Sequence, residues 1–376
     1  MDIVKEFVNR VDSSEGIVCY GVGQRLQDLA LYFRDDEIVN KILFCVDKNK
    51  DLHGTKMKLN QHEVCVYSVE YLEKISNKNI VLLITNVRFD KVLWELTQYS
   101  FGGKIEYFCL SHILADFTET LAMNKILPRN IQYSDEAKIP KIIHYCWFGG
   151  KPIPNKYKKW MNSWKKYCPD YEIIEWNESN YDVTKNQYMY DAYKSEKWGF
   201  VPDYARLDII YQYGGIYLDV DVELVQSLDE LRYQDGFVGF EDQTEVNFGS
   251  GFGAAKGSRI IRELRDEYDR RKFVNEDGSL NLLSSPFIQT EYFLKKGLVQ
   301  NGEYQKIDGF SIYPEKMFTS KSLYSRRIKM TEYTKAIHHF DATWKDEEQR
   351  LFYKEFEEEM SSGIYKNAHG YIGKVD

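Results

Sequence analysis

The stretch GGIYLDVDVEL, residues 214–224, decides how this chain is read. Ile216, Leu218, Val220, Val222 and Leu224 alternate with the remaining residues, which is the period-two pattern of a strand. The opposite face carries Tyr217, Asp219, Asp221 and Glu223. Aspartate is depleted in strands, so two of them two residues apart, directly after a Gly-Gly turn, call for a reason other than folding. A strand would place Tyr217, Asp219 and Asp221 on one side. Two carboxylates at a strand end can share a divalent cation. Oxygen ligands suit Mg2+ or Mn2+, which keep positions open for phosphate oxygens. An acidic, solvated edge strand is the plain alternative.

The flanking sequence sharpens this. In FVPDYARLDIIYQYGG (200–215), Asp203 and Arg206 stand three apart on a predicted helix and share a face, with Tyr204, Leu207, Ile210 and Tyr211 on the buried side. The helix ends at glycine and re-enters as the strand, so both polar pairs can face one cleft. Downstream, EDQTEVNFGSGFGA (241–254) brings Glu241, Asp242, Asn247 and a glycine-rich run, either as lining of the reaction centre or acceptor site or as a solvated loop. HHFDATW (338–344) offers His338 and His339 as imidazole ligands. His144, inside the apolar run of KIIHYCWFGG (141–150), reads as structural.

At these residues the chain resembles the family 32 glycosyltransferases, and more distantly the large clostridial glucosylating toxins. The resemblance runs from IPKIIHYCWFGG through CPDYEIIEWNE to AIHHFDATW, most of residues 139–345. It implies a GT-A fold and a retaining transfer of a hexose from a nucleotide sugar, a UDP-hexose, with Mn2+ or Mg2+. By position it implies Asp221 as the direct metal ligand and Asp219 as the contact to ribose or sugar and, through water, to the metal. Asp203 and Arg206 hold donor-sugar hydroxyls, Tyr217 lies near the nucleotide, Trp147 stacks on the base and Trp344 touches the β-phosphate. His339 stands where the toxins have a metal-binding acid. Gly215 and Asn247 complete the donor-contacting candidates. Two positions depart from the pattern: Pro202 precedes the aspartate where a small residue is common, and Thr343 replaces a serine before Trp344.

The first 130 residues lie outside the resemblance. GIVCYGVG, KILFCVD, HEVCVYS, NIVLLIT and IEYFCLS alternate with helical segments, which predicts a parallel sheet covered on both faces. The expected architecture is therefore α/β: a Rossmann-like domain over 1–130, a polar linker PRNIQYSDEAKIP (128–140), and a GT-A domain with a mixed sheet over 131–376. Gly21 and Gly23 stand between a strand and a helix, with Asp47 ending the next strand where a ribose-binding acid would sit. The third glycine of a dinucleotide fingerprint is absent, since Leu26 occupies it. An NAD-dependent oxidoreductase using this turn is the alternative from another class. A protein acceptor is the alternative within the transferase reading.

A formal net charge of −8 argues against nucleic acid as a partner and repels a nucleotide diphosphate unless a cation intervenes. Lys316, Lys321, Arg326, Arg327 and Lys329 form a basic cluster that either attracts anions or is a solvated face. Six cysteines show no CxxC pair and sit mostly in apolar runs, as reduced core residues of a cytosolic protein do. No signal-peptide pattern is present, and no apolar run approaches the roughly 20 residues of a membrane span. A cytoplasmic location is expected, with peripheral attachment to the inner membrane surface left open. The acceptor expected is a saccharide or a lipid-linked saccharide.

Overall fold

In the computed structural model the described residues are 2–33, 37–99, 101, 105–341, 347–362 and 365–372. Thr343 and Trp344 of the late motif lie outside them. The chain divides into two compact units, one of residues 1–119, 324–326 and 351–376, the other of residues 120–323 and 327–350.

The first unit is built on β1 (Gly16–Tyr20), β2 (Ile42–Val46), β3 (Lys56–Leu59), β4 (His62–Tyr67), β5 (Ile80–Ile84) and β6 (Ile105–Cys109), in the spatial order β6-β5-β1-β2-β4-β3. All but β3 run parallel. β1 and β5 are buried along their whole length, as unbroken apolar runs are in sheets covered on both faces. The unit's helices are α1 (Ile3–Asp12), α2 (Gln24–Tyr32) and α3 (Phe89–Leu96), and the chain leaves the unit within α4 (Leu110–Met123). α1 shows the local logic. Asp2 caps it by accepting from the Lys5 N–H, and Ile3, Phe7 and Val11 fall on one buried stripe.

The second unit holds a mixed seven-stranded sheet of β7 (Ile142–Cys146), β8 (Glu172–Trp176), β9 (Gly215–Tyr217), β11 (Gly236–Phe240), β12 (Val246–Ala254), β13 (Gln305–Ile307) and β14 (Phe310–Tyr313). Its order is β13-β14-β11-β12-β9-β7-β8. β8, β7, β9, β11 and β14 point the same way, and β12 and β13 oppose them. A separate ribbon pairs β10 (Val222–Leu224) with β15 (Ala336–His338). Around these lie α5 (Asn155–Tyr167), α6 (Gln187–Lys194), α7 (Val201–Tyr213), α8 (Arg259–Glu267) and α9 (Ser285–Leu294). The last helix, α10 (Glu347–Ser362), leads to β16 (His369–Ile372), which pairs antiparallel with β6. β16 thus completes the first sheet, so the second unit does not extend through residue 376 as the 131–376 boundary has it.

The opening stretch is not one strand. β9 ends at Tyr217 and β10 begins at Val222, in different sheets, with a turn over 218–221. The Val222 N–H donates to the Asp219 carbonyl at 3.0 Å, which closes that turn. The two aspartates therefore occupy turn positions, where aspartate is favoured, and the strand's tolerance for them is no longer at issue.

Helix α7 feeds this turn from behind. Pro202 stands in its first turn, where its missing N–H costs nothing. From Val201 to Ile210 only Pro202 is not buried, as befits a central helix. Gly214 ends it at φ +67°, and Gly215 comes next at φ +107°. A Cβ on Gly215 would lie 2.9 Å from both His144 Nε2 and the Ile142 carbonyl. Gly215 is thus set by backbone packing, which accounts for it without the donor contact expected there. His144 pins the same corner. Its Nδ1 accepts from Trp176 Nε1–H at 3.0 Å, so Nε2 carries the proton and donates to the Gly214 carbonyl at 2.9 Å. Burial pushes this imidazole down to about 4, so it is neutral at pH 7.

The six cysteines are free thiols, five of them buried. Among the described residues no helix is long and apolar enough to cross a membrane.

Candidate functional site

Ligands of open α/β sheets lie outside the carboxyl ends of the parallel strands. In the second unit that edge gathers the residues just past each strand: Trp147 after β7, Asp219 and Asp221 after β9, Glu241 after β11, and Glu315 after β14.

Asp219 is held by three groups. Its N–H donates to the Gly249 carbonyl at 3.1 Å, the buried Tyr217 hydroxyl donates to its Oδ1 at 3.0 Å, and Arg206 Nη1 lies 3.7 Å from its Oδ2. About a third (32%) of its side chain stays exposed, so the carboxylate opens outward. Arg206 and Asp203 share the face of α7 as their spacing predicts. Arg206 Nη2 bonds Asp203 Oδ1 and also donates to Ser285 Oγ of α9 at 3.3 Å. Both residues are buried, so the guanidinium is a desolvated bridge between Asp203 and Asp219.

Asp221 is bound differently. Its carbonyl accepts the His339 N–H at 3.0 Å, and its Oδ2 accepts the Asp341 N–H at 3.0 Å. Its Oδ1 lies 3.3 Å from His338 Nε2. Asp341 is in turn bonded by Tyr157 Oη and paired with Lys156 of α5. Phe340, at φ +53°, turns the chain between the histidines and Asp341. Burial would raise the Asp221 carboxyl, but His338 and the backbone N–H groups hold it down to about 2. Asp219 goes the other way: burial raises it, and Arg206 does not fully compensate. His338 is itself raised, because Asp221, Asp219 and Glu241 outweigh the burial that disfavours its charge.

Ligand atoms of Asp219, Asp221 and His338 lie within 4.8 Å of one another. Two carboxylate oxygens and one imidazole nitrogen suit Mn2+ or Mg2+. The histidine in this cluster is His338, not the expected His339. β15 ends at His338, whose imidazole turns toward the aspartates, and His339 follows it outside the strand. His339 faces away, with Nε2 2.9 Å from Glu223 Oε2 and its ring stacked on Trp160 at 4.0 Å. Glu223 thereby gains a structural role that the sequence alone leaves open. Which histidine turns inward depends on β15 pairing with β10, two segments over a hundred residues apart.

Trp147 is half-buried at the same edge, its indole N–H bonded to the Lys151 carbonyl and its ring 5.8 Å from that of Tyr157. Asn247, expected to touch the donor, is turned inward: Nδ2 donates to Glu241 Oε1 and Oδ1 accepts the Gly249 N–H, both at 2.6 Å. The 241–244 segment is buried, not a solvated loop, and Asp242 Oδ1 accepts the N–H groups of Thr244 and Glu245. Burial, with Asp242 beside it, raises Glu241 to about 7. The basic cluster is split: Lys316 is fully buried and bonded to Glu315 at 2.7 Å, Lys321 and Arg326 are also buried, Arg327 is half-buried and Lys329 is exposed. Ser285 and Tyr157 carry no signal in the sequence and reach the site only through tertiary packing; Asp341 lies within HHFDATW but is not singled out there.

In the first unit, Asp47 stands just past β2 as a ribose-binding acid would. Its carboxylate, however, accepts the Val22 N–H at 3.2 Å and the Asn49 N–H at 2.8 Å. Gly21 has φ +102°, and its carbonyl accepts the Thr85 hydroxyl at 2.8 Å.

The second unit is thus a mixed α/β fold whose sheet edge gathers two aspartates, a guanidinium and an imidazole. Residues 154–238, which include Asp203, Arg206, Asp219 and Asp221, match the family described as "Glycosyltransferase sugar-binding region containing DXD motif". Inositol phosphoceramide mannosyltransferase 3 of Schizosaccharomyces pombe is 30% identical over 181 residues, 46% of this chain and 48% of that protein. Inositol phosphoceramide mannosyltransferase 1 of the same yeast is 26% identical over 158 residues, 39% of this chain and 46% of that protein. The chain thus spans about half the length of these relatives. The solved structure of PaToxG Glycosyltransferase aligns at a TM-score of 0.35 and 21% identity, over 42% of this chain and 70% of that one.

Proposed function

We propose that this chain is a metal-dependent, retaining glycosyltransferase with a GT-A catalytic unit. It moves a hexose from a nucleotide sugar, a UDP-hexose, to a saccharide or lipid-linked saccharide acceptor in surface-polysaccharide synthesis such as capsule or O-antigen. The observation that carries the reading is the convergence on one turn of two polar sets, Asp219–Asp221–His338 and Asp203–Arg206. The names of the fungal relatives, mannosyltransferases of inositol phosphoceramide, make mannose a donor sugar to test and a lipid an acceptor to test. A cytoplasmic enzyme, peripheral to the inner membrane surface, fits such acceptors. The first unit is taken as a Rossmann-like accessory domain.

Asp219, Asp221 and His338 would hold Mn2+ or Mg2+, which when bound supplies positive charge against the leaving diphosphate. The chain's own groups do the rest. Asp203 and Arg206 orient the hexose by its hydroxyls, Trp147 offers the base a flat apolar surface, and the buried Tyr217 keeps Asp219 aimed. These dipoles are fixed before reaction, so little reorganisation is needed as charge develops. Among the described residues no carboxylate is an evident nucleophile, so attack comes from the face that the diphosphate leaves. The anomeric carbon–oxygen bond to diphosphate breaks, the acceptor oxygen forms the new bond, and its proton passes to the departing diphosphate.

The test is a thermal-shift screen of nucleotide sugars, UDP-glucose and GDP-mannose among them, with and without Mn2+. A specific donor raises the melting temperature by mass action, and only with the cation. NMR of the transfer product then reads the anomeric configuration: inversion would end the retaining mechanism. Donor hydrolysis and transfer that persist unchanged in Asp219→Ala and Asp221→Ala would end the reading as a whole.

A further inference from the structure

Strand β12 is irregular where it passes the site. Against β11, Val238 faces Phe252 but Gly239 faces Asn247, so residues 248–251 stand without opposite partners. Such bulges re-aim groups beside active sites. This one carries the Gly249 carbonyl to the Asp219 N–H at 3.1 Å. Nothing larger than glycine fits there: a Cβ on Gly249 would press on the Asp219 carboxylate and come within 3.0 Å of Arg206 Nη1 and Asn247 Oδ1.

The bulge is clamped from inside. Asn247 Oδ1 accepts the Gly249 N–H and its Nδ2 donates to Glu241, both at 2.6 Å. The Ser250 hydroxyl donates to the Asn247 carbonyl at 2.9 Å. From α9, Gln289 Oε1 accepts the Phe248 N–H at 3.2 Å, and Thr290 Oγ1 accepts the Val246 N–H at 2.9 Å. Glu241, Asn247, Ser250, Gln289 and Thr290 are all buried. A plain β-ladder needs none of this, and buried polar networks are costly unless satisfied.

We propose that Asn247, backed by Glu241, is a positioning residue: it fixes the height of the bulge and through Gly249 sets Asp219 against Arg206, without touching the donor. This rests on the reading of the Asp219–Asp221 turn as a metal and nucleotide-sugar site. Asn247 Oδ1 fixes the bulge, and Glu241 fixes the amide so that Oδ1, not Nδ2, faces Gly249. Glutamine at 241 can accept the same bond through its amide oxygen, whereas alanine cannot.

The experiment measures Mn2+ affinity by electron paramagnetic resonance without donor, donor affinity by calorimetry in saturating Mn2+, and the melting temperature. The variants are Asn247→Ala, Glu241→Ala and Glu241→Gln. The expected result is a loss of about 10–100-fold in Mn2+ affinity for Asn247→Ala and Glu241→Ala, the range for groups that orient metal ligands. Glu241→Gln recovers to within about threefold of wild type, a difference of under 1 kcal/mol. If Asn247→Ala does not fold, the Ala and Gln variants at 241 carry the test. Unchanged Mn2+ affinity with weakened donor binding would make Asn247 a direct donor contact and overturn the proposal. Glu241→Gln as impaired as Glu241→Ala would overturn it too, because the carboxylate charge would then be what acts. Wild-type protein that takes up neither Mn2+ nor any nucleotide sugar sinks the functional reading itself, and this inference with it.

Discussion

The two units present the same local arrangement with opposite outcomes. In each, an acid stands just past the carboxyl end of a parallel strand, Asp47 after β2 in the first and Asp219 after β9 in the second, and a positive-φ glycine turns the chain nearby, Gly21 past the end of β1 and Gly215 at the start of β9. Asp47 gives its carboxylate to two backbone N–H groups, those of Val22 and Asn49. Asp219 gives its backbone N–H to Gly249 and keeps its carboxylate among Tyr217, Arg206 and Asp221. An acid satisfied by backbone N–H groups of its own and a neighbouring loop ties the two loops together. An acid facing another acid, a guanidinium and an imidazole is the one we propose to serve a ligand. What an acid is bonded to, more than where it falls in the fold, separates structural from functional carboxylates.

The strongest way to break this contrast is Asp221→Ala. Removing the lowered carboxylate leaves His338 and Asp219 without the group that joins them. Transfer in Mn2+ is expected to fall by about 1,000-fold, the scale of removing one preorganised electrostatic group. The assay is product formation at saturating donor. A loss under tenfold would mean that this turn is not where the chemistry occurs.

Next comes Arg206→Ala, which tests the bridge between the two polar sets. It leaves Asp203 buried without its cation, and breaking such a pair typically costs about 3–5 kcal/mol. At about 2–4 °C per kcal/mol for a unit of this size, the melting temperature should drop by roughly 6–20 °C. Arg206→Lys should recover part of this stability but little donor affinity, since an ammonium cannot reproduce the planar fork that reaches Asp203 and Asp219 together. A lysine variant with wild-type donor affinity would show that the charge alone suffices.

How much of this was legible in the sequence tracks the same contrast. The helix carrying Asp203 and Arg206, its glycine ending and the pairing of Asp219 with Asp221 are local, and local spacing disclosed them. Period-two alternation suggested one strand through 214–224, yet Leu218 to Asp221 form a turn, because the chain there passes from one sheet to another. Nothing in an eleven-residue window encodes that change of partners. The choice of His338 over His339 depends on β10 meeting β15, and the burial of Lys316 on its bond to Glu315. Asn247 looked like a ligand because its amide is polar and near the motif. That amide is engaged at both ends, by Gly249 of the bulge and by Glu241 past β11, contacts that only the strand register brings about.

His144 sharpens the comparison from the second unit's side, because it holds the glycine corner that Asp47 holds in the first. Its folded value of about 4 lies below the ordinary 6.5. Between these, the unfolded chain binds more protons than the folded one. Stability is therefore fully present above pH 6.5 and is lost as pH falls toward 4, by about 3 kcal/mol. Thermal melts across that window should show a steeper acid loss in wild type than in His144→Gln, which has no proton to take up. Equal slopes would mean that the imidazole is not held neutral by the Trp176 and Gly214 contacts.

The smallest effect is expected from Asp47→Asn, and it separates the two acids most cleanly. One amide oxygen can still accept from Val22 or Asn49, but the other position becomes a donor facing a donor. The cost is about 1–2 kcal/mol, that of a hydrogen bond lost and a polar group left unpaired. It should appear as a shift of a few degrees in melting temperature, at about 2–4 °C per kcal/mol. Transfer activity and donor affinity should stay at wild-type values, and NAD should shift the melting temperature of neither protein. NAD-dependent stabilisation of wild type that Asp47→Asn abolishes would give the first unit a dinucleotide site and erase the contrast. Its absence, with activity intact, would leave Asp47 as the acid that serves its own turn.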